Sequence, residues 1–310
     1  MRDWRRKIRD TAFSGEDARW IERMNNAVAY IENHLGGDIH IRRAAALANC
    51  SIHHFQRIFS FMAAMPVSQY IRQRRLTMAA FELQGGGPKI IDLAVKYGYD
   101  SPESFARAFK AMHGVTPSEA RKPGIPLKSC PVLGFRVSIQ GGTPMDYRIE
   151  EHEGFLLFGV TREISTLDRR NLTEVPAFWY EKLKDGSIDR IREAAGISGA
   201  VPVHSAIYRC TDSGYTYLIG YTAADGTDTR DFTVLDVPGG TWAVFEINAP
   251  DRAGAAEKAA PLWERIFTGW FPVSGYELAD APELELHYRT GSGGFRTEIR
   301  IPVTVPRNQM

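Results

Sequence analysis

A twelve-residue helix is written twice in this chain. An offset of fifty lays Ser51 on Ser101, Phe55 on Phe105, Arg57 on Arg107 and Phe59 on Phe109. In each copy the apolar residues recur at i, i+3, i+4 and i+7, first as Phe55, Ile58, Phe59 and Met62, then as Phe105, Ala108, Phe109 and Met112. That spacing makes one buried face of a helix. A second face, with the same spacing, carries His53, Gln56, Arg57 and Ser60, then Glu103, Ala106, Arg107 and Lys110. Few folds need two short helices with a buried stripe backing a hydrogen-bonding stripe. A protein that places two helices in the major groove of duplex DNA is one, and a helical bundle with accidental similarity is the plain alternative.

The residues ahead of each copy repeat too. Ile41–Ala48 (IRRAAALA) and Ile91–Tyr97 (IDLAVKY) are small, helical segments that each end in a short break before Ser51 or Ser101. Ser at the N-cap, Pro102 at the first helical position and Gly98 in the turn are helix start and stop signals. Ala44 and Ala94 are set in equivalent places, where two helices must pack closely. Val67–Leu83 reads as one long linking helix, and Met65-Pro66 and Thr116-Pro117 close the two copies.

These motifs resemble the AraC/XylS family of bacterial transcription regulators, most closely in IIDLAVKYGYDSPESFARAFKAMHGVTP within Lys89–Pro117. The match runs over about a hundred residues. It implies an all-α N-terminal domain with two helix-turn-helix units, whose recognition helices enter successive major grooves about 34 Å apart. Side-chain chemistry then names the contacts. Arg57 and Arg107 suit a guanine edge or a phosphate, Gln56 suits adenine, and Glu103 can accept from a cytosine amino group. His53 suits a thymine methyl or a hydrogen bond, Lys110 suits phosphate, and Ser104 completes the set.

Charge divides the chain in the same way. Residues 1–123 hold 19 Lys and Arg against 12 Asp and Glu, a net of +7; the rest hold 19 against 25, a net of −6. A basic first half fits phosphate contact, and an acidic second half needs another task. Cys50, Cys130 and Cys210 show no metal-ligand or disulfide spacing, so neither a metal nor a cofactor is expected. No apolar run of 18 residues occurs, and the charged start (MRDWRRKIRD) lacks a signal-peptide core; the expectation is a cytoplasmic protein without a membrane partner. Residues 1–20 form an N-terminal extension, either a short helix or a disordered basic arm. Residues 21–122 form the DNA-binding domain, 123–144 a linker with Val132–Ile139 as a short strand, and 145–305 a second domain.

The second half repeats more faintly. Phe155–Val160 corresponds to Trp242–Ile247, each followed by a Pro-initiated helix bearing a Trp (Pro176 with Trp179, Pro261 with Trp263) and then by two strands. Those strands are Ala206–Cys210 and Tyr215–Thr222 in one unit, Leu284–Tyr288 and Phe295–Val303 in the other. Two β-α-β-β repeats give an α+β domain: an antiparallel sheet with helices on one side and a cleft between the units. Met145–Glu150, Gly275-Tyr276-Glu277, Glu283–Leu286 and Ile299–Val303 resemble the GyrI-like effector-binding domain, and the combination is a Rob-like architecture. The resemblance implies multidrug sensing: an acidic residue on a late strand, here Glu285, pairs with a lipophilic cation while aromatic rings stack on it. Trp179, Tyr217, Tyr221, Trp263, Trp270 and Tyr288 supply the rings. Tyr stands two residues after this Glu in the family; here His287 does, and Tyr288 follows, which turns Tyr288 towards the other strand face.

The expectation is a ligand-responsive activator, not an enzyme, whose partners are double-stranded promoter DNA, RNA polymerase and a small, cationic aromatic effector. Two alternatives remain for the second half. In one, Glu285 with Trp263 or Trp270 positions water as a hydrolase on a reactive small molecule. In the other the domain docks a protein.

Overall fold

A computed structural model describes residues 15–136, 144–211, 213–224, 226–291 and 293–304. The chain divides into two compact units, Met1–Arg136 and Val137–Met310. Of the expected N-terminal extension, residues 1–14 lie outside the described residues, and 15–20 belong to the first helix.

The described part of the first unit is helical: α1 (Gly15–Asn33), α2 (Ile41–Leu47), α3 (Ile52–Ala63), α4 (Val67–Gln84), α5 (Ile90–Lys96), α6 (Pro102–His113) and α7 (Pro117–Ala120). Helices α2–α3 and α5–α6 are the two helix-turn-helix units, and α4 links them. Each keeps a core of its own. Phe55, Ile58 and Phe59 of α3 are buried with Tyr70 of α4, whose ring lies 5.6 Å from Phe59. In the second unit Phe105 and Phe109 pack with Leu76, Leu83 and Leu93. The first helices superimpose at an offset of 49, one less than the recognition helices. Cys50 N donates to Ala45 O as Tyr99 N donates to Ala94 O, so the partner of Ala94 is Ala45 and not Ala44. Asn49 and Gly98 take the same left-handed turn position (φ 57° and 73°), and the second break is one residue longer.

The segment after α7 differs from the linker expected at 123–144. Its described part, to Arg136, packs on the first helical unit and forms no strand, and 137–139 of the expected strand lie outside the described residues. The reason lies in how its backbone is satisfied: side chains, not a neighbouring strand, meet its polar groups. Cys130 N donates to Thr77 Oγ1 (3.0 Å), Leu133 N to the Tyr70 hydroxyl (3.1 Å) and Phe135 N to Asn25 Oδ1 (2.8 Å). Phe135 meets Phe59 edge-on at 5.8 Å. Arg74 anchors the same strap, reaching the Cys130 carbonyl at 2.5 Å and clasping Glu32 at 2.8 Å.

Among its described residues the second unit forms a nine-stranded antiparallel sheet: β1 (Tyr147–His152), β2 (Phe155–Ser165), β3 (Val203–Tyr208), β4 (Gly214–Thr222), β5 (Thr233–Val237), β6 (Gly240–Ala249), β7 (Glu277–Leu278), β8 (Glu283–Arg289) and β9 (Phe295–Thr304). The order is β1-β6-β9-β8-β3-β4-β2-β5, with β7 paired to β9. The two repeats, β2-β4-β3 and β8-β9-β6, therefore meet at the β3–β8 pair. Their leading strands are exchanged: β1 runs into β2 yet pairs with β6, and β5 runs into β6 yet pairs with β2. The two connections cross where Gly154 and Gly239 touch; a Cβ on Gly239 would lie 2.9 Å from Gly154 N. Only glycine allows that approach.

Helices α8 (Asn171–Lys184) and α9 (Ser187–Ala194) pack on β2 and β4, and α10 (Arg252–Arg265) on β6 and β9. Neither Trp-bearing helix starts at its proline as expected: Pro176 and Pro261 lie inside α8 and α10. Earlier residues begin each helix, Asp251 capping α10 by accepting from Gly254 N. A π-helical turn, Ile266–Trp270, leads from α10 into α11 (Phe271–Ser274).

Candidate functional site

The helical unit presents two matched surfaces. Ser51 caps α3 by accepting from His54 N at 3.3 Å. Ser101 caps α6 more completely, in a reciprocal box with Ser104: Ser104 N donates to Ser101 Oγ at 3.1 Å and Ser101 N to Ser104 Oγ at 3.3 Å. With the Phe stripes buried, the polar stripes face outward. His53, Glu103, Arg107 and Lys110 are exposed; Gln56 and Arg57 are half-buried, with the Arg57 guanidinium 4.9 Å over the Phe61 ring. Ser104 differs, because its hydroxyl is held by the cap and also donates to Ser101 O at 2.8 Å.

In the sheet unit the seam between the repeats holds a buried carboxylate. Glu285 on β8 stands directly opposite Ser205 on β3 and is 9% exposed. Three uncharged groups donate to it: Trp263 Nε1 to Oε1 at 2.9 Å, and the hydroxyls of Ser205 and Tyr217 to Oε2, both at 3.0 Å. One donor comes from each of α10, β3 and β4, so both repeats build the site. Trp179 Nε1 on α8 in turn donates to the Tyr217 hydroxyl at 3.0 Å. Burial beside the Glu285 carboxylate raises the Tyr217 pKa well above its usual value, so the phenol stays a donor.

His287, two residues along the same strand face, puts Nε2 3.7 Å from Glu285 Oε2. Burial pushes its pKa down to about 4, against the pull of Glu285, so near pH 7 the ring is neutral. Trp179 meets this ring edge-on at 5.0 Å, and the Arg252 guanidinium lies 4.6 Å over Trp179. The result is a carboxylate in an aromatic setting whose contacts among the described residues are three neutral donors and the neutral His287. Such a setting favours a cation over water.

Two comparisons of sequence meet this geometry. A helix-turn-helix domain family matches residues 44–123, and the family described as integron-associated effector binding protein matches residues 148–303, just over half of the chain. The HTH-type transcriptional activator AarP of Providencia stuartii is 38% identical over 95 residues, 31% of this chain and 70% of that protein. The right origin-binding protein of Escherichia coli K12 is 30% identical over 229 residues, 72% of this chain and 76% of that protein. This chain belongs to the AraC family. It is a DNA-binding transcription regulator of that family with a C-terminal GyrI-like effector-binding domain. Among solved structures, that of SAV2435 bound to tetraphenylphosphonium is 19% identical, with a TM-score of 0.43 over 52% of this chain and 94% of that one.

In this AraC-type regulator the structure gathers Trp179, Tyr217 and Trp263 around Glu285, with Tyr221 buried two positions beyond Ile219 on the Tyr217 face. Two expected rings stand elsewhere. Tyr288 lies on the opposite face, its hydroxyl donating to Glu298 at 3.3 Å and its ring under Arg296 at 4.2 Å, because neighbouring strand residues point to opposite sides. Trp270 follows the π turn into a separate cluster, 5.1 Å from Phe245 and stacked at 5.8 Å on Tyr276. Ser205 and Arg252 escaped the sequence reading. Nothing local marks Ser205; only the β3–β8 register, across 80 residues, puts it on Glu285. Among the described residues no group of three or more His, Cys, Asp or Glu is placed to hold a metal, and no helix is long and apolar enough to cross a membrane.

Proposed function

We propose that this regulator binds duplex promoter DNA through residues 21–122 and activates transcription when residues 145–305 take up a small aromatic cation at Glu285. The DNA contacts fall to His53, Gln56, Arg57, Glu103, Arg107 and Lys110, whose outward stripes flank two separately cored recognition helices. The similarity to the activator AarP supports activation, and RNA polymerase is the partner that an activator must reach. Regulation, not turnover, is the output, and the setting is cytoplasmic. The ligand acts by favouring one state of the protein, to the extent that it binds that state more tightly.

One observation carries the ligand reading: the Glu285 carboxylate is buried at the seam of the two repeats and held by neutral donors, one of them the Trp263 indole, with Trp179 bonded to the Tyr217 donor behind it. A cation arriving there gains full electrostatic attraction, and each ring adds roughly 0.5–2 kcal/mol of cation–π attraction. To arrive, it must displace an aromatic cover, and Trp179, the half-buried one, is the cover nearest to solvent.

The test is a titration of the full-length protein with tetraphenylphosphonium, followed by Trp fluorescence, beside Glu285→Gln. Saturable quenching that weakens at least tenfold in the variant is expected. Silence from both proteins removes the cation reading. Consumption of a bound compound during the titration, seen by chromatography, would make the domain a hydrolase instead.

A further inference from the structure

The sheet has a second face, and it also contains a pocket. Along β3 and β8 the side chains alternate, so Ser205 and Glu285 point to the helices while His204, Leu284 and Leu286 point the other way. There a cavity of about 170 Å³ opens between the two repeats. Half of its lining is apolar: Trp242, Leu284, Leu286 and Phe155 line it, with Thr222 at an exposed edge. His152, His204 and Arg300 complete the polar side of the wall with Thr222.

His204 is the telling residue. It is 8% exposed; the ring leans on the Pro202 backbone, and among the described residues its buried Nδ1 has no partner at ordinary hydrogen-bond distance. Buried polar atoms are nearly always paired, and an orphan lining a cavity is a vacancy for a ligand atom. Burial lowers the His204 pKa to about 4, so near neutral pH the ring bears no charge. Arg300 offers no surplus charge either. It is held by Glu298 at 2.6 Å and faces Glu150 at 3.4 Å, while Arg148 bridges Glu298 at 2.7 Å and Glu150 at 2.5 Å. Burial pushes the Glu298 carboxyl up, but the bonds from Arg300 and Arg148 outweigh it and hold it below the usual range. The acids and bases of this wall are thus matched with one another. An anion would have to take Arg300 from its carboxylates, and a cation would meet that guanidinium.

We propose that this face is a second small-molecule site, separate from Glu285, for an uncharged single-ring aromatic bearing one hydroxyl group, a phenol. Size supports the ring: a dry apolar cavity of about 150 Å³ takes up benzene. The flat ring lies against Trp242 and the two leucines, and the hydroxyl meets His204 Nδ1. The two sites read opposite faces of the same two strands, and they select ligands of different charge.

The experiment is calorimetric titration of the full-length protein at pH 7.5 with phenol, benzoate and benzylamine, on the wild type and on His204→Leu, Thr222→Phe and Glu285→Gln. Saturable one-to-one binding of phenol is expected, at least fivefold tighter than either charged analogue. His204→Leu weakens it at least fivefold, Thr222→Phe blocks it from an exposed position that folding tolerates, and Glu285→Gln leaves it unchanged. No saturable phenol binding by the folded wild type overturns the proposal. Equal binding of benzoate or benzylamine overturns the charge argument, and a loss in Glu285→Gln equal to that in His204→Leu assigns the phenol to the carboxylate site instead.

Discussion

In the helical half each copy of the repeat keeps its own core: Phe59 packs with Tyr70 and Phe135, whereas Phe105 and Phe109 pack with Leu76, Leu83 and Leu93. In the sheet half the copies share one core and trade their leading strands, so that Leu157 of one repeat and Trp242 and Leu284 of the other lie in a single cluster. The first arrangement yields two sites, one per copy, free to carry different residues, such as Gln56 against Ala106. The second yields a site that belongs to neither copy. Glu285 depends on Ser205 and Tyr217 from one repeat and on Trp263 from the other. Doubling in tandem multiplies a function; doubling with exchange creates a seam.

The harshest test of that contrast is Gly220→Val. Gly220 and Gly159 pair directly, and a Cβ on Gly220 would sit 1.9 Å from the Phe158 carbonyl oxygen. The backbone of β2 must move, at a cost of about 3 kcal/mol or more. Because the repeats share a core, calorimetry should show the whole sheet unit melting lower while the helical transition stays in place. Two separate sheet transitions would contradict the shared core.

Acid should produce the next largest effect. His204 and His287 are both pushed down to about 4 by burial, against about 6.5 in the unfolded chain. Between those values the unfolded chain binds more protons than the folded one, so the stability present above pH 6.5 is lost as pH falls towards 4. His113 in the helical half is shifted in the same direction, again by burial. Urea midpoints at pH 7, 5.5 and 4 should therefore fall further for the sheet half, with its two such histidines, and His287→Gln should flatten that slope.

Smaller changes sharpen the comparison within the helical half. Arg107→Ala should cost about 1–3 kcal/mol of DNA affinity, read by titrating labelled duplexes selected from random sequence. Arg57→Ala should cost a similar amount independently, so the double variant should be additive. Smallest, Ser101→Ala and Ser51→Ala should each remove about 1 kcal/mol of stability, since each deletes one cap bond, while Ser104→Ala removes the return bond that only the second helix has. No loss in Ser104→Ala would show that the second bond of the box contributes nothing.

The chain's local chemistry determined the helical half by itself. Periodicity at i, i+3 and i+4, Ser caps, and Asn49 or Gly98 at the turns act within a few residues, so α2, α3, α4, α5 and α6 stand within a residue or so of where the pattern puts them. The pattern was less exact where one residue is inserted, which moved the partner of Ala94 from Ala44 to Ala45. It read a linker with a strand at Val132–Ile139 where the described part is a strap, because the hydrogen bonds of Cys130 and Phe135 reach back 53 and 110 residues. In the sheet half the alternation along Glu285, His287 and Tyr288 was legible, because strand geometry fixes which side each residue faces. What only the tertiary structure decided was strand order and register. Pairing β3 with β8 and crossing β1 with β5 are choices between segments 74 to 98 residues apart, and hydrophobic pattern does not distinguish one strand partner from another. From that choice came Ser205 beside Glu285 and His204 on the other face, while the π turn after α10 carried Trp270 into a separate cluster.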